Sequence, residues 1–292
     1  MKVRLSIINI KNLFHSLAKK NSSFFRYDSK PFVSGDTFRK LCQNIYDETK
    51  KTDPLRVLKN DIVFLKTDLV EEYFETFHPY VQNNYNLITH NSDNSITSNH
   101  AKFKDEKINN WFAQNLDMNS ANNIYPLPIG LENRRYFNNG QIGLFKNTKK
   151  INKNDKILSS FNTNTNPDER IPLKKIIKDT PFVTQFSSSS QKKYIENVNL
   201  HKYILCPSGN GLDSHRVWET LLLGSIPVLK KSYFSINFKD LGVPMILLND
   251  WKDLNNLTES YLKNYFDEIV SKKQIQYYGS YSFWCKFIKS KI

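Results

Sequence analysis

Two doubly wound, Rossmann-like α/β halves facing a cleft are what this sequence predicts, on three observations. Apolar runs of strand length alternate with helical patterns along nearly all of the 292 residues. That alternation means parallel sheets with helices on their faces. It lapses once, in the glycine-, asparagine- and lysine-rich stretch from Phe137 to Asp155, and then restarts. Late in the chain a glycine-rich turn, "CPSGNGLDS", follows an apolar run and opens a helical pattern. The expected units are a domain over residues 1–140, a linker over 141–155 and a second domain over 156–292.

In the first half the apolar runs place strands at Pro31–Ser34, Asp61–Lys66, Tyr85–His90 and Ile124–Gly130. Helical spacing places helices at Thr37–Asp47, Leu69–Phe77 and Asp105–Asn115 between them. The second half opens on a strand at Lys156–Phe161. Next comes a helix with Asn166 as N-cap, Pro167 at its first position and Glu169 three residues after the cap. Strands at Phe182–Phe186 and Tyr203–Cys206 flank a helix at Ser190–Val198. A helix at Ser214–Leu223 ends at Gly224, which suits the left-handed position past a helix terminus. Strands at Ile226–Leu229 and Met245–Leu248, a helix at Leu257–Val270 and an aromatic segment at Tyr277–Ile288 complete the reading.

Composition narrows the function classes. Hydrophobic residues make up 39% and aromatics 13%, enough for packed cores. The formal net charge of +14 attracts phosphates of any origin. The lysines are spread in pairs along the chain, and no zinc-finger or RRM pattern accompanies them, so a nucleic-acid partner is not expected. The three cysteines, Cys42, Cys206 and Cys285, form no CxxC and no even set, which points to a reducing compartment. No run approaches the roughly 20 apolar residues of a membrane span. The opening "MKVRLSIINIKNLFHSLAKK" is broken by Lys11 and makes a poor signal peptide. A cytoplasmic protein is expected, with the charge allowing peripheral contact with an anionic membrane. The six histidines are scattered and no acidic pair stands at a strand end, so neither metal nor cofactor is expected.

Ligands of doubly wound sheets bind at the carboxyl ends of the strands, so the loops there carry the chemistry. Gly209 and Gly211 allow a tight turn with close backbone approach. The N–H groups of the following helix, with its dipole, favour an anion. Asp213 or Ser214 suits the N-cap. His215, Arg216 and Glu219 lie at i, i+1 and i+4, so they cluster near the helix start. A planar guanidinium matches a diphosphate, and a carboxylate one turn deeper suits ribose hydroxyls. The turn lacks the third glycine of the dinucleotide fingerprint and the Gly-Lys-Ser/Thr of a P-loop. A capped helix with a surface Arg–Glu pair is the bland alternative.

Other strand-end loops add candidates. "SSFNTNTNPDER" offers Ser160 and Asn162, with Ser159 beside them and Arg170 in the next helix. In the first half Asp36, Asp68, Asp93 and Glu132 each follow a strand, and such carboxylates could bind hydroxyls or act as a base. Asp36 and Asp68 read better as helix caps. His90 and Asp93 sit in the polar loop "THNSDNS" and are the candidate base.

"YILCPSGNGLDSHRVWETLLLGSIPVL" closely resembles the C-terminal signature of exostosin-like glycosyltransferases: "CP-G", then "HR-WE", then "G-IPV". "ILSSFNTNTNPDER", "LITHNSD" and "YPLPIGLEN" look like motifs of that family's smaller bacterial and viral relatives. The resemblance implies a GT-B fold and transfer of a sugar from a nucleotide sugar, usually with inversion and without a metal. Arg216 would contact the diphosphate, Glu219 the ribose, and Ser208, Gly209, Asn210, Gly211 and Asp213 would line the phosphate turn. The first domain would take a glycan or glycolipid acceptor, and the nucleotide sugar would be a substrate rather than a cofactor. The chain departs from the larger members in lacking their N-terminal membrane anchor and in its short first domain. A similar "E-L--G-IPV" pattern in fucosyltransferases leaves a GDP-linked donor as an alternative to a UDP-sugar. A sugar-binding relative without activity and a non-catalytic nucleic-acid-binding protein are the rivals from other classes.

Overall fold

The computed structural model describes residues 26–149, 151–187, 190–272 and 274–292. The opening segment read above for targeting signals therefore lies outside the described residues. Two five-stranded parallel sheets follow one another, and with their helices they form the two Rossmann-like halves of a GT-B-like fold.

The first sheet has the order β1-β2-β3-β4-β5: Asn44–Tyr46, Ile62–Lys66, Tyr85–His90, Ile108–Ala113 and Ile124–Pro126. Its strands are buried on both faces, as parallel sheets are. Alternate residues Val63, Leu65, Leu87 and Trp111 join one core with Tyr73 of helix α2 (Val70–Thr76). Ile62, Phe64, Ile88 and Phe112 face the other way, into a core that also holds Phe38 of helix α1 (Gly35–Leu41) and runs on into the second half.

The second sheet has the order β10-β9-β8-β6-β7, with β6 at Asn154–Ser159, β7 at Val183–Gln185, β8 at His201–Leu205, β9 at Ile226–Lys230 and β10 at Ile246–Leu248. The chain moves outward from β6 to β7 and returns past β6 to β8. The strand order therefore reverses between β6 and β8, and a crevice opens there at the carboxyl ends. Further helices are α3 (Ser98–Ala101), α4 (Ile142–Lys146), α5 (Pro167–Ile176), α6 (Gln191–Leu200), α7 (His215–Leu222), α8 (Tyr233–Asp240), α9 (Glu259–Lys272) and α10 (Tyr281–Lys289). Helix α10 returns to the first half. Phe287 packs on Phe112 and Tyr125, while Trp284 packs on Trp218 and Phe238 of the second half.

Several elements differ from the sequence reading. The helix expected at Asp105–Asn115 is strand β4, which lies between β3 and β5 in the sheet. Its Ile108, Asn110 and Phe112 alternate with Asn109, Trp111 and Ala113. Asn110 Nδ2 donates to Asn86 Oδ1 (2.9 Å), which satisfies an amide buried in the sheet. The expected helix Thr37–Asp47 stops at Leu41, and its last part is strand β1. Among the described residues the run Pro31–Ser34 pairs through single bridges, Phe32 with Ser280 and Ser34 with Gly130. Helix α8, capped by Ser232 and Ser235, had no sequence counterpart.

Candidate active site

A cleft of about 1720 Å³ lies between the two sheets and collects the strand-end loops of both. Helix α7 starts on its floor, because β8 ends at Leu205 and the turn Cys206–Ser214 reverses the chain directly into the helix. The apolar face of α7 (Val217, Trp218 and Leu221, each at most 1% exposed) is buried, which fixes the helix and leaves its first turn toward the cleft.

Arg170, in the second turn of α5, organises the loops. Its Nε donates to the Ser208 carbonyl (2.8 Å), Nη1 to the Asn162 carbonyl (2.7 Å) and Nη2 to the Pro207 carbonyl (3.3 Å). One buried guanidinium thus ties the loop after β6 to the turn after β8. The preceding Glu169 holds the same turn from its other side: Oε2 accepts from the Ser208 N–H (3.2 Å) and Oε1 from Trp251 Nε1 (2.9 Å). Burial, and then the charge of Arg216, lower the Arg170 guanidinium to about 10.

Arg216 lies over the Tyr194 ring, 5.9 Å from its centroid. Among the described residues neither Arg170 nor Arg216 has a carboxylate within ion-pair distance. Two buried polar atoms here, Ser214 Oγ and Arg216 Nε, have no hydrogen-bond partner among the described residues, and the Tyr194 hydroxyl lies against Glu219 and Arg216. Buried polar atoms are almost always satisfied, so a cluster of orphans at one point calls for a ligand. Two close cations, orphaned donors and the N-terminus of an eight-residue helix together define an anion site. Glu219, one turn below, accepts from Gln191 Nε2 (3.0 Å), and burial raises its carboxyl pKa against the pull of His215 and Arg216.

The glycine turn itself divides by role. Gly209 N–H donates to the Gly211 carbonyl (3.0 Å), which closes the turn. Asn210 is exposed on the cleft side. Gly211 packs against the first half, where an added Cβ would meet Asn115 Nδ2 at 2.8 Å and the Asp93 carbonyl oxygen at 3.0 Å. Asp213, expected in the phosphate turn or as a cap, faces the other half instead. Its carboxylate accepts from the Ile129 N–H (2.7 Å) and from Trp218 Nε1 (2.8 Å), and its own N–H donates to Asn115 Oδ1 (2.8 Å). With both oxygens engaged, Asp213 joins the halves, and burial raises its pKa to about 7 against those bonds. Ser214 takes the N-cap position but its hydroxyl caps nothing.

From the loop after β6, Ser160 is buried at the cleft wall. Asn162 caps a short turn through Oδ1, accepting from the Asn164 N–H (2.9 Å), and gives its carbonyl to Arg170. Across the cleft, His90 does not offer a free base. Its Nδ1 accepts from the Asn91 N–H (2.7 Å), its Nε2 donates to the Pro128 carbonyl (3.0 Å), and burial, aided by the His215 charge, holds its pKa at about 4. Asp93 is exposed on the same rim. Asp36 and Asp68, read as caps, are neither: Ser34 caps α1, Asp36 pairs with Arg26 (2.7 Å), and Asp68 pairs with Lys66 (2.8 Å) at the cleft. Arg135 and Glu48 line the wall beside them, 3.8 Å apart.

Residues that sequence reasoning passed over include Tyr194, Gln191, Asn115 and Glu169 in its second role. Glu169 carried a signal, because a capping glutamate next to Arg170 at a strand-end loop is also placed to hold that loop. Tyr194 and Gln191 come from a different helix and had none.

No curated protein sequence matches the chain. Among solved structures, a trehalose-6-phosphate synthase from Burkholderia multivorans aligns with a TM-score of 0.45 at 8% identity, over 80% of this chain and 72% of that one. A UDP-forming trehalose-phosphate synthase from Burkholderia vietnamiensis gives 0.45 at 9%, over 80% and 72%. TarM gives 0.42 at 12%, over 79% of this chain and 54% of its own. Likeness at this level carries no argument about activity. The family model described as the RXYLT1 C-terminal domain matches residues 131–289, which include β6 to β10, the glycine turn and α7. That span is more than half of the 292 residues, and the chain belongs to this family.

Proposed function

We propose that the protein is a glycosyltransferase that moves a sugar from a nucleotide sugar, a UDP-sugar first, to a hydroxyl of a glycan or lipid-linked acceptor. The observation that carries this reading is the anion site at the topological switch of the second sheet. Arg170 and Arg216, without carboxylate partners, share it with the orphaned Ser214 hydroxyl at the start of α7. The diphosphate binds there, and Glu219 below it takes the ribose hydroxyls. The exostosin-like sequence signature supports the same donor.

The acceptor lies against the wall formed by Lys66, Asp68, Glu48, Arg135 and Asn133. Asp93 removes the proton from its hydroxyl as the oxygen attacks the anomeric carbon. The C–O bond to the diphosphate breaks and its electron pair leaves with the β-phosphate. The two arginines and the helix N-terminus stabilise that charge, the part a divalent cation plays in other transferases. Attack opposite the leaving group inverts the anomeric centre.

A thermal-shift panel of UDP, GDP and their sugars tests the reading. Stabilisation by a nucleoside diphosphate is expected. Tight oligonucleotide binding with no nucleotide shift would overturn it in favour of the nucleic-acid reading.

A further inference from the structure

His215 is the first residue of α7 and Arg216 the second, so imidazole and guanidinium leave the same helix N-terminus. Yet the His215 ring is held by the other half of the molecule. Its Nδ1 lies 2.7 Å from the Gly130 carbonyl and its Nε2 lies 3.4 Å from Glu132 Oε2. A carbonyl accepts only from a protonated nitrogen, and a carboxylate at the second nitrogen favours a proton there too, so the ring carries its charge. Gly130 is built for this approach. Its φ of +71° suits glycine, and a Cβ would sit 2.3 Å from the Val33 carbonyl oxygen. Glu132 is itself fixed, accepting from the Asn133 N–H (2.9 Å).

The remaining charged neighbours of His215 divide. Glu219 on α7 and Asp213 on the preceding loop favour its charge, whereas His90 across the cleft titrates against it and Arg216 stands next to it in the helix. Arg135 faces Glu132 from the first half. Burial opposes the imidazolium, but Glu132, first by its charge and then by its hydrogen bond, and the Gly130 carbonyl outweigh it and raise the pKa to about 9.

We propose that Glu132 holds His215 as the third positive charge of the diphosphate site, so that an anionic residue of the first half completes anion binding in the second. This inference rests on the diphosphate reading above. Its consequence runs against simple charge counting. Removing a negative charge from an anion cleft ordinarily tightens anion binding. Here Glu132→Gln lets His215 lose its proton at mildly alkaline pH and loosens it.

Calorimetric titration of UDP and of inorganic pyrophosphate into wild type, Glu132→Gln and His215→Gln at pH 6 and pH 8.5 tests this. Glu132→Gln is expected to bind UDP about fivefold or more weakly than wild type at pH 8.5, and as tightly or more tightly at pH 6. His215→Gln is expected to be weaker at both. Glu132→Asp, which keeps the charge, separates the effect from misfolding by restoring binding at pH 8.5. Glu132→Gln binding as tightly as wild type at pH 8.5 would overturn the inference alone. A wild-type protein that binds UDP, GDP and pyrophosphate at neither pH would overturn the diphosphate reading, and this inference with it.

Discussion

Replacing Arg170 with methionine separates a loop-organising residue from a simple phosphate ligand. The side chain makes three hydrogen bonds to carbonyls while being 3% exposed. Bonds from a charged donor contribute about 1.5–3 kcal/mol each, so the gross loss is about 5–9 kcal/mol. Against this, a guanidinium lowered from 12.5 to about 10 by burial and by Arg216 has given up about 3 kcal/mol. Methionine keeps much of the packing and removes that penalty. The net expectation is a loss of about 2–6 kcal/mol in the unliganded protein, read from urea unfolding at pH 7 with an unchanged slope. UDP affinity should fall as well, because the loops after β6 and β8 lose their common clamp. If unliganded stability stays within about 0.5 kcal/mol of wild type, Arg170 is a solvated ligand and the clamp is not what holds the turn.

Two further outcomes follow from the residues that join the halves. Asp213 has its pKa raised from 3.8 to about 7, so the stability it allows is complete below pH 3.8 and is lost as pH rises through about 7. That is about 4 kcal/mol. Asp213→Asn should flatten the stability curve between pH 4.5 and 8 by about 3 kcal/mol of that, and parallel curves for the two proteins would contradict the assignment. Gly211→Ala should cost about 1–3 kcal/mol, because the new methyl meets Asn115 at 2.8 Å and a backbone oxygen at 3.0 Å. Gly209→Ala should cost less, since its nearest neighbour is Arg170 Nη2 at 3.6 Å. Equal melting temperatures for the two variants would refute the distinction.

The second half of the fold was largely legible because its signals are local. Asn166, Pro167 and Glu169 form a complete helix start, and Gly224 has the positive φ expected past α7. The first half was less so. Strand β4 mixes asparagines into an aromatic run, and only the neighbouring strand shows that Asn110 pairs with Asn86. The site divides in the same way. That Arg216 and Glu219 share one helix face at the cleft was readable from their spacing. The bonds that tie Asp213 and His215 to the first half were not readable, because their partners, Ile129, Gly130 and Glu132, lie more than eighty residues away in sequence. His90 looked like a base because the Pro128 carbonyl that occupies its Nε2 comes from another strand end. Sequence spacing reports which groups share an element. It does not report which groups the other half of the molecule has already engaged.

The most direct test of the account is nucleoside-diphosphate binding to the folded wild type, Arg216→Ala and Glu219→Gln, followed by thermal unfolding. At a hundredfold excess over Kd a ligand adds about 2.7 kcal/mol, a shift well within reach. UDP or GDP should stabilise the wild type and should lose most of that effect in both variants. A nucleotide that stabilises Arg216→Ala as much as the wild type would contradict the claim that α7 and its arginine hold the diphosphate.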